Sequence, residues 1–424
     1  MKTVLIVTYH FPPRQHIASL RSKGLAKYLP QFGCQPVILT AALPDRIDTD
    51  FRVIETFYPG DAIALLAKRF GINMTKDLRA KGGDYLASME QKNSLKMKLI
   101  EIVKGIVEYP DNQRTWYNYA LKEGVKLLDN EQIDAIISTA PPYTAHMIAM
   151  KLKELYHIPW IADFRDLWTQ NHNYTFGPIR KWLDKKNELN TLALCDAMIT
   201  VSDPLAQELG SLHQGKPVFT ITNGFDPDEI RYDSVLTDDF TLTYTGKIFR
   251  KTQDIALLFR AIQELVEDKF IEPESVKVQL FGLKQSWIQE EIQKYNLESI
   301  ATQHGHVSRE TAIHKQRQSQ ALLLLNWLDP KQQGVYTGKV FEYLAARRPI
   351  LVIGGPGGVL RDLMEQTQAG VYLPDLDSLK FALTRFYKEF QTAGKVVYHG
   401  KDEEIIKYSH KEMARKFSEV IDKV

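Results

Sequence analysis

Short apolar runs rich in β-branched residues punctuate the first half of the chain: TVLIVTY from Thr3, PVILT from Pro36, IDAIIST from Ile133, IPWIAD from Ile158, CDAMITVS from Cys195 and PVFTITN from Pro217. Helical patterns separate most of them, which predicts a parallel sheet covered by helices. A polar stretch from Asp226 to Asp239 interrupts the rhythm. It restarts with FTLTYTG from Phe240, VKVQLFG from Val276, ALLLLNW from Ala321 and PILVIGG from Pro349, again with amphipathic segments between. The pattern therefore predicts two doubly wound α/β domains with a boundary near residue 235. It contains no fixed-period repeat and no low-complexity tract.

One segment departs from the alternation. Between Asp61 and Glu108 the pattern is mostly helical and carries nine basic residues, Lys68, Arg69, Lys76, Arg79, Lys81, Lys92, Lys96, Lys98 and Lys104, against four acidic ones. Within it Leu95, Leu99, Ile102, Val103 and Ile106 fall at helical spacing. The segment is either a solvated insertion packed on its domain or a surface facing an anionic membrane.

Composition narrows the classes. With 424 residues, 44% of them hydrophobic, the chain is long enough for two large cores. Lys plus Arg number 54 and Asp plus Glu 52, so no global field favours a nucleic-acid partner. Only Cys34 and Cys195 occur, too few for a disulfide framework and without metal or redox spacing, which fits a reducing cytoplasm. The start MKTVLIVTYHFPP reads as a first strand and not as a signal peptide. ALLLL, the longest aliphatic run elsewhere, is far short of the roughly 20 residues that span a bilayer. The expected location is cytoplasmic, with any membrane attachment peripheral and at the inner face.

Candidate chemistry collects where strands end. After the strand FTLTYT the loop GKIFRK places Gly246, Lys247, Arg250 and Lys251 at the carboxyl edge of a parallel sheet, where α/β domains take ligands and where a diphosphate would suit the cations. In TGKVFEYLAARR, a helix predicted to begin at Thr337–Gly338 turns free backbone N–H groups toward the same edge. Lys339 and Glu342 share one face of that helix, as a surface ion pair or as parts of a ligand site.

In the first domain IPWIADFRDLW crowds Asp163, Arg165, Asp166 and Trp168 at a strand end. The crowding reads either as a site or as an internal pairing of Arg165 with Asp163 or Asp166. FPPRQHIASLR adds Arg14, His16, Ser19 and Arg21 at the equivalent edge, STAPPYTAH adds a third loop, and ITNGFDPDE puts Asn223, Gly224 and Asp226 at the boundary. GGPGGVL lacks the third glycine of a dinucleotide fingerprint, and there is no P-loop lysine motif. Asp226, Asp228, Asp238 and Asp239 read as acidic turns without a histidine cluster, so no metal is expected.

Taken in order, FPP with IASLR, STAPPYTAH, IPWIADFRDLW, VSDPLAQEL, ITNGFDP, YTGK, HGHVSR and TGKVFEYLAARRPIL resemble the retaining glycosyltransferases of family 4, over nearly the whole length. The resemblance implies a GT-B fold: residues 1–235 as a Rossmann-like acceptor domain, 236–405 as a nucleotide-sugar domain facing it, and 406–424 as a helix crossing back. It implies transfer of a sugar from a nucleotide-sugar to an acceptor with anomeric retention, without metal or other cofactor. The acceptor class it suggests is a glycan or a lipid-linked intermediate of surface polysaccharide.

By position, the resemblance makes Glu342 the second of two family glutamates and the ligand of the ribose, and makes Lys247 and Lys251 the phosphate-binding pair. Gly246, Asn223, Tyr336, Thr337, Gly338 and Lys339 fall in the donor site. Arg165 stands where a histidine is common near the reacting centre, followed by Asp166, while His16, Ser19, Arg21 and Asp163 fall on the acceptor side. Two departures stand out: Arg14-Gln15-His16-Ile17 replaces paired glycines, and Gly334, eight positions before Glu342, replaces the first glutamate. Rival readings are an epimerase or hydrolase on the same fold and a nonenzymatic nucleotide-sugar-binding protein.

Overall fold

The computed structural model describes residues 1–13, 17–42, 50–69, 105–230 and 234–424. His16, Arg14 and the predicted basic stripe from Lys76 to Lys104 lie outside them. The chain forms two compact units, Met1–Ile221 with Ala414–Val424, and Thr222–Met413.

Among the described residues of unit 1, seven strands form a parallel sheet: β1 Lys2–Thr8, β2 Cys34–Ala41, β3 Val53–Thr56, β4 Ala135–Ala140, β5 Trp160–Phe164, β6 Ala197–Thr200 and β7 Val218–Thr220, in the order β3-β2-β1-β4-β5-β6-β7. Unit 2 holds β8 Phe240–Thr245, β9 Val276–Phe281, β10 Ala301–Gly305, β11 Ala321–Leu325, β12 Ile350–Ile353 and β13 Gly370–Leu373, in the order β10-β9-β8-β11-β12-β13. All pairings are parallel, for example Val4 with Ala135 and Leu323 with Leu351. The chain direction across each sheet reverses at one place, β1 beside β4 and β8 beside β11, which opens a crevice at the carboxyl ends of those strands.

The central strands are buried on both faces, as Val4–Val7 and Leu322–Leu325 show, and so they read as unbroken apolar runs. The unit boundary falls at Ile221–Thr222, ahead of the residue near 235 predicted from polarity. The cause is backbone pairing: Phe225 bridges to Ser409, and His410 N donates to the Phe225 carbonyl at 2.8 Å. Gly224 sits so close that a Cβ there would lie 2.4 Å from the Tyr408 oxygen. The described residues that follow Ile221 thus belong to unit 2. The carboxyl-terminal residues belong to unit 1, where Lys2 pairs with Asp422 at 2.8 Å and Arg21 lies 5.2 Å from the Phe417 ring centre.

Among the described residues, no helix is long and apolar enough to cross a membrane. Both cysteines are buried, and burial raises their pKa values, that of Cys195 to about 12, so neither is a ready thiolate.

The STAPPYTAH motif ends in the core. His146 is fully buried, with Nδ1 2.7 Å from Ser138 Oγ, which also accepts from Trp160 Nε1 at 2.7 Å. Burial lowers the His146 pKa from 6.5 to about 3. Between those values the unfolded chain binds a proton that the folded one does not, so stability falls as pH drops through this window. His146→Phe should therefore flatten the pH dependence of urea unfolding between pH 6.5 and 5, removing a slope of up to about 1.4 kcal/mol per pH unit. Equal slopes in wild type and variant contradict the assignment.

Candidate functional site

In unit 2 the loops after β8 and β9 touch backbone to backbone. Gly246 N donates to the Phe281 carbonyl at 2.6 Å, and a Cβ on Gly282 would lie 2.2 Å from the Gly246 oxygen. Gly246 itself has φ 114°, a value that favours glycine. From its other side comes Lys339, whose Cε lies 2.6 Å from where a Gly246 Cβ would stand. A side chain at 246 would displace the lysine.

Lys339 is on the first turn of helix Gly338–Ala346. Its Nζ lies 5.1 Å from the Tyr244 ring centre, and burial lowers its pKa despite the opposing charge of Glu342. Among the described residues no ion pair neutralises its ammonium. Thr337, the N-cap, makes no capping bond with its side chain, and its buried hydroxyl has no partner among the described residues. A desolvated cation therefore stands beside β8 on the first turn of a helix whose N-cap hydroxyl is unsatisfied, a combination that favours an anion. The strand end is fixed to this helix: Thr245 N donates to the Tyr343 hydroxyl at 3.1 Å, and Gln316 Nε2 donates to Thr245 Oγ1 at 2.9 Å.

The loop beyond Gly246 supplies more positive charge. Lys247 and Lys251 are both exposed, with Lys247 Nζ 5.1 Å from the Phe249 ring centre. Tyr336 packs its ring 5.6 Å from Phe341. Asn223, partly buried, precedes Gly224 at the start of the unit.

Glu342 is paired with Arg309 and not with Lys339. Its Oε1 accepts from Arg309 Nε at 3.3 Å, while the far side of the same guanidinium meets Glu229 at 3.1 and 3.4 Å. Arg309 and Glu229 also line an open cleft of about 560 Å³ with His314 and Arg317. Arg309 was visible only as the last residue of HGHVSR, and nothing in its spacing tied it to Glu342. Gly334 lies in a buried turn whose neighbour Gln333 packs its carbonyl where a Gly358 Cβ would be 2.3 Å away.

In unit 1 the structure corrects the acceptor-side reading. Arg21 and Asp163 are 1% and 0% exposed and form a forked pair, Nε to Oδ2 at 3.0 Å and an Nη to Oδ1 at 2.7 Å. The same Nη donates to the Ile221 carbonyl at 3.1 Å. Both groups are spent on each other and on the fold, so neither is available to an acceptor. Ser19 is also buried, its hydroxyl without a partner among the described residues.

Arg165 pairs with neither carboxylate proposed for it from sequence. Its Nε donates to Thr139 Oγ1 at 3.1 Å and an Nη donates to the Pro141 carbonyl. Burial lowers its pKa to about 10, against the pull of Asp163 and Asp166, which leaves it charged at neutral pH. Asp166 next to it is exposed. Among the described residues no group of three or more His, Cys, Asp or Glu side chains could hold a metal ion.

Residues 85–229 match the sequence profile of Glycosyltransferase Family 4. No curated protein sequence matches the chain. Among solved structures, sucrose-phosphate synthase from Thermosynechococcus elongatus aligns at a TM-score of 0.64 and 14% identity, over 100% of this chain and 99% of that one. Anabaena Alr3699/HepE in complex with UDP and glucose aligns at 0.57 and 12%, over 100% of both chains. The E. coli trehalose-6-phosphate structure bound with UDP-2-fluoro glucose aligns at 0.58 and 11%, over 100% and 99%. At these identities the structures share the fold, two doubly wound parallel-sheet units of the GT-B type.

The forked pair gives a direct test. Arg21→Ala leaves the Asp163 carboxylate buried and unpaired, and should lower unfolding free energy by about 3–5 kcal/mol. A denaturation midpoint within error of wild type contradicts the pairing.

Proposed function

We propose that this chain, which resembles the group 1 glycosyltransferases in its fold and across residues 85–229, moves a sugar from a nucleotide-sugar to an acceptor hydroxyl with retention of anomeric configuration. The observation that carries the reading is the unpaired Lys339 ammonium packed on Gly246, beside the unsatisfied Thr337 hydroxyl at a helix start. An anion there would offset the cost of burying that cation. Uridine is the first base to test, because the HepE and trehalose-6-phosphate structures carry UDP or a UDP-sugar.

In this reading the diphosphate lies over the first turn of Gly338–Ala346, held by backbone N–H groups, Lys339, Lys247 and Lys251, with Tyr336 and Asn223 beside it. Glu342, steadied by Arg309, accepts from the ribose hydroxyls. The bond between the anomeric carbon and the β-phosphate oxygen breaks, the acceptor oxygen bonds to the same face, and its proton passes to the leaving phosphate. The chain's contribution is to stabilise charge growing on the diphosphate, so no protein nucleophile is required. Arg165 and exposed Asp166 are the candidates for the reacting centre and acceptor at the edge of unit 1. The acceptor is proposed as a glycan or lipid-linked intermediate, and no metal or cofactor is required.

A thermal-shift panel of nucleotide-sugars should single out the donor, since a bound donor raises the unfolding midpoint. With that donor, Lys251→Ala should lower turnover by about 10²-fold at an unchanged midpoint, whereas Glu342→Ala should act mainly on KM as a binding loss. Unchanged donor kinetics in both variants contradict the assignment. Donor consumed without acceptor would instead indicate an epimerase or hydrolase, and binding without turnover a nonenzymatic protein.

A further inference from the structure

Helix Pro178–Leu192 in unit 1 is amphipathic with its faces reversed. Its buried positions include Asp184, Glu188 and Thr191, while Ile179 is 77% exposed, Trp182 63% and Leu183 39%. Its inward carboxylates are held by partners within the unit, although Asp184 Oδ1 has none among the described residues. Asp184 accepts from Arg180 Nε at 2.8 Å and from the Tyr174 hydroxyl at 2.6 Å. Glu188 accepts from Thr169 N at 3.0 Å and stands 3.4 Å from His213 Nε2. The inner face therefore uses its polarity within the fold, and Ile179, Trp182 and Leu183 stay exposed outside that packing.

Ile179, Trp182, Leu183 and Lys186 fall at the i, i+3, i+4, i+7 spacing of one helical face. Lys181 and Lys185 are exposed beside them. Both carboxylates of the helix, Asp184 and Glu188, point inward, so its solvent side carries three lysines and no acid. Arg180 fixes the start of the helix by donating to the carbonyls of Glu108 and Pro110 at 3.1 and 3.0 Å.

We propose that this outward face docks on an anionic lipid bilayer, with Ile179, Trp182 and Leu183 entering the headgroup region and Lys181, Lys185 and Lys186 at the level of the lipid phosphates. A tryptophan with an apolar body and a polar N–H suits that interface. Lysines flanking an apolar face suit its negative potential. The uniform charge argues against a second copy of the chain as occupant, because a two-fold contact through this face would bring six lysines together. The proposal goes beyond glycosyl transfer and does not depend on it.

Co-sedimentation of the full chain with phosphatidylcholine vesicles, with and without phosphatidylglycerol, tests it. Binding should require the anionic lipid and weaken with salt. Changing Lys181, Lys185 and Lys186 together to glutamine should lower the partition coefficient about 10²-fold. Trp182→Ser with Ile179→Ser should reduce binding to background at an unchanged thermal midpoint, since both side chains are exposed. Absence of wild-type binding, or equal binding by the variants, overturns the proposal. A concentration-dependent dimer in light scattering that Trp182→Ser abolishes would assign the face to a second copy and also overturn it.

Discussion

Lys339 reaches within 2.6 Å of the point where Gly246 would carry a Cβ, and the carboxyl edge of unit 2 is arranged around that approach. The glycine leaves the space, the Tyr244 ring faces the ammonium, and the Tyr343 hydroxyl ties the helix to the end of β8. The strand order supplies the location, because β8 and β11 are neighbours running to helices on opposite sides. On the proposed reading, a cation held there against the cost of desolvation is a group prepared for a bound anion.

The edge of unit 1 differs in kind. Arg21 and Asp163 neutralise each other there, and Arg165 is turned to the neutral Thr139 and Pro141. Such a network stiffens the strand ends at little gain in stability. Exposed Asp166, and Arg165 with its pKa lowered by burial, are the candidates left there for chemistry. The contrast supports assigning the phosphate-bearing substrate to unit 2.

Most of the sheet framework was legible because central parallel strands are apolar on both faces. The runs at Val4, Ile136, Leu242 and Leu322 each became a strand. The strands that escaped, β3, β10 and β13, lie at sheet edges. There exposure admits residues such as Glu55 and Gln303, and the apolar run disappears. The members of the proposed anion cradle were marked in outline by the loop cations and the Thr337–Gly338 helix start. The approach of Lys339 to Gly246 was not, since it depends on how two segments pack.

The same limit explains the pairings. Arg21 and Asp163 are 142 residues apart, whereas Arg165 stands beside two carboxylates in sequence, so proximity along the chain pointed to the wrong arginine. Arg309 escaped notice for the same reason, 33 residues from Glu342. The reversed helix at 178–192 shows no inward apolar stripe in its sequence, and only burial reveals which face is which.

The central claim is that the Lys339–Gly246 approach forms the anion site. A crystal structure with UDP tests it most directly. The account predicts the diphosphate over the first turn of Gly338–Ala346, within hydrogen-bond distance of its backbone N–H groups and in contact with Lys339. A diphosphate bound at the strand ends of unit 1, with Lys339 still packed unpaired on Gly246, would contradict it.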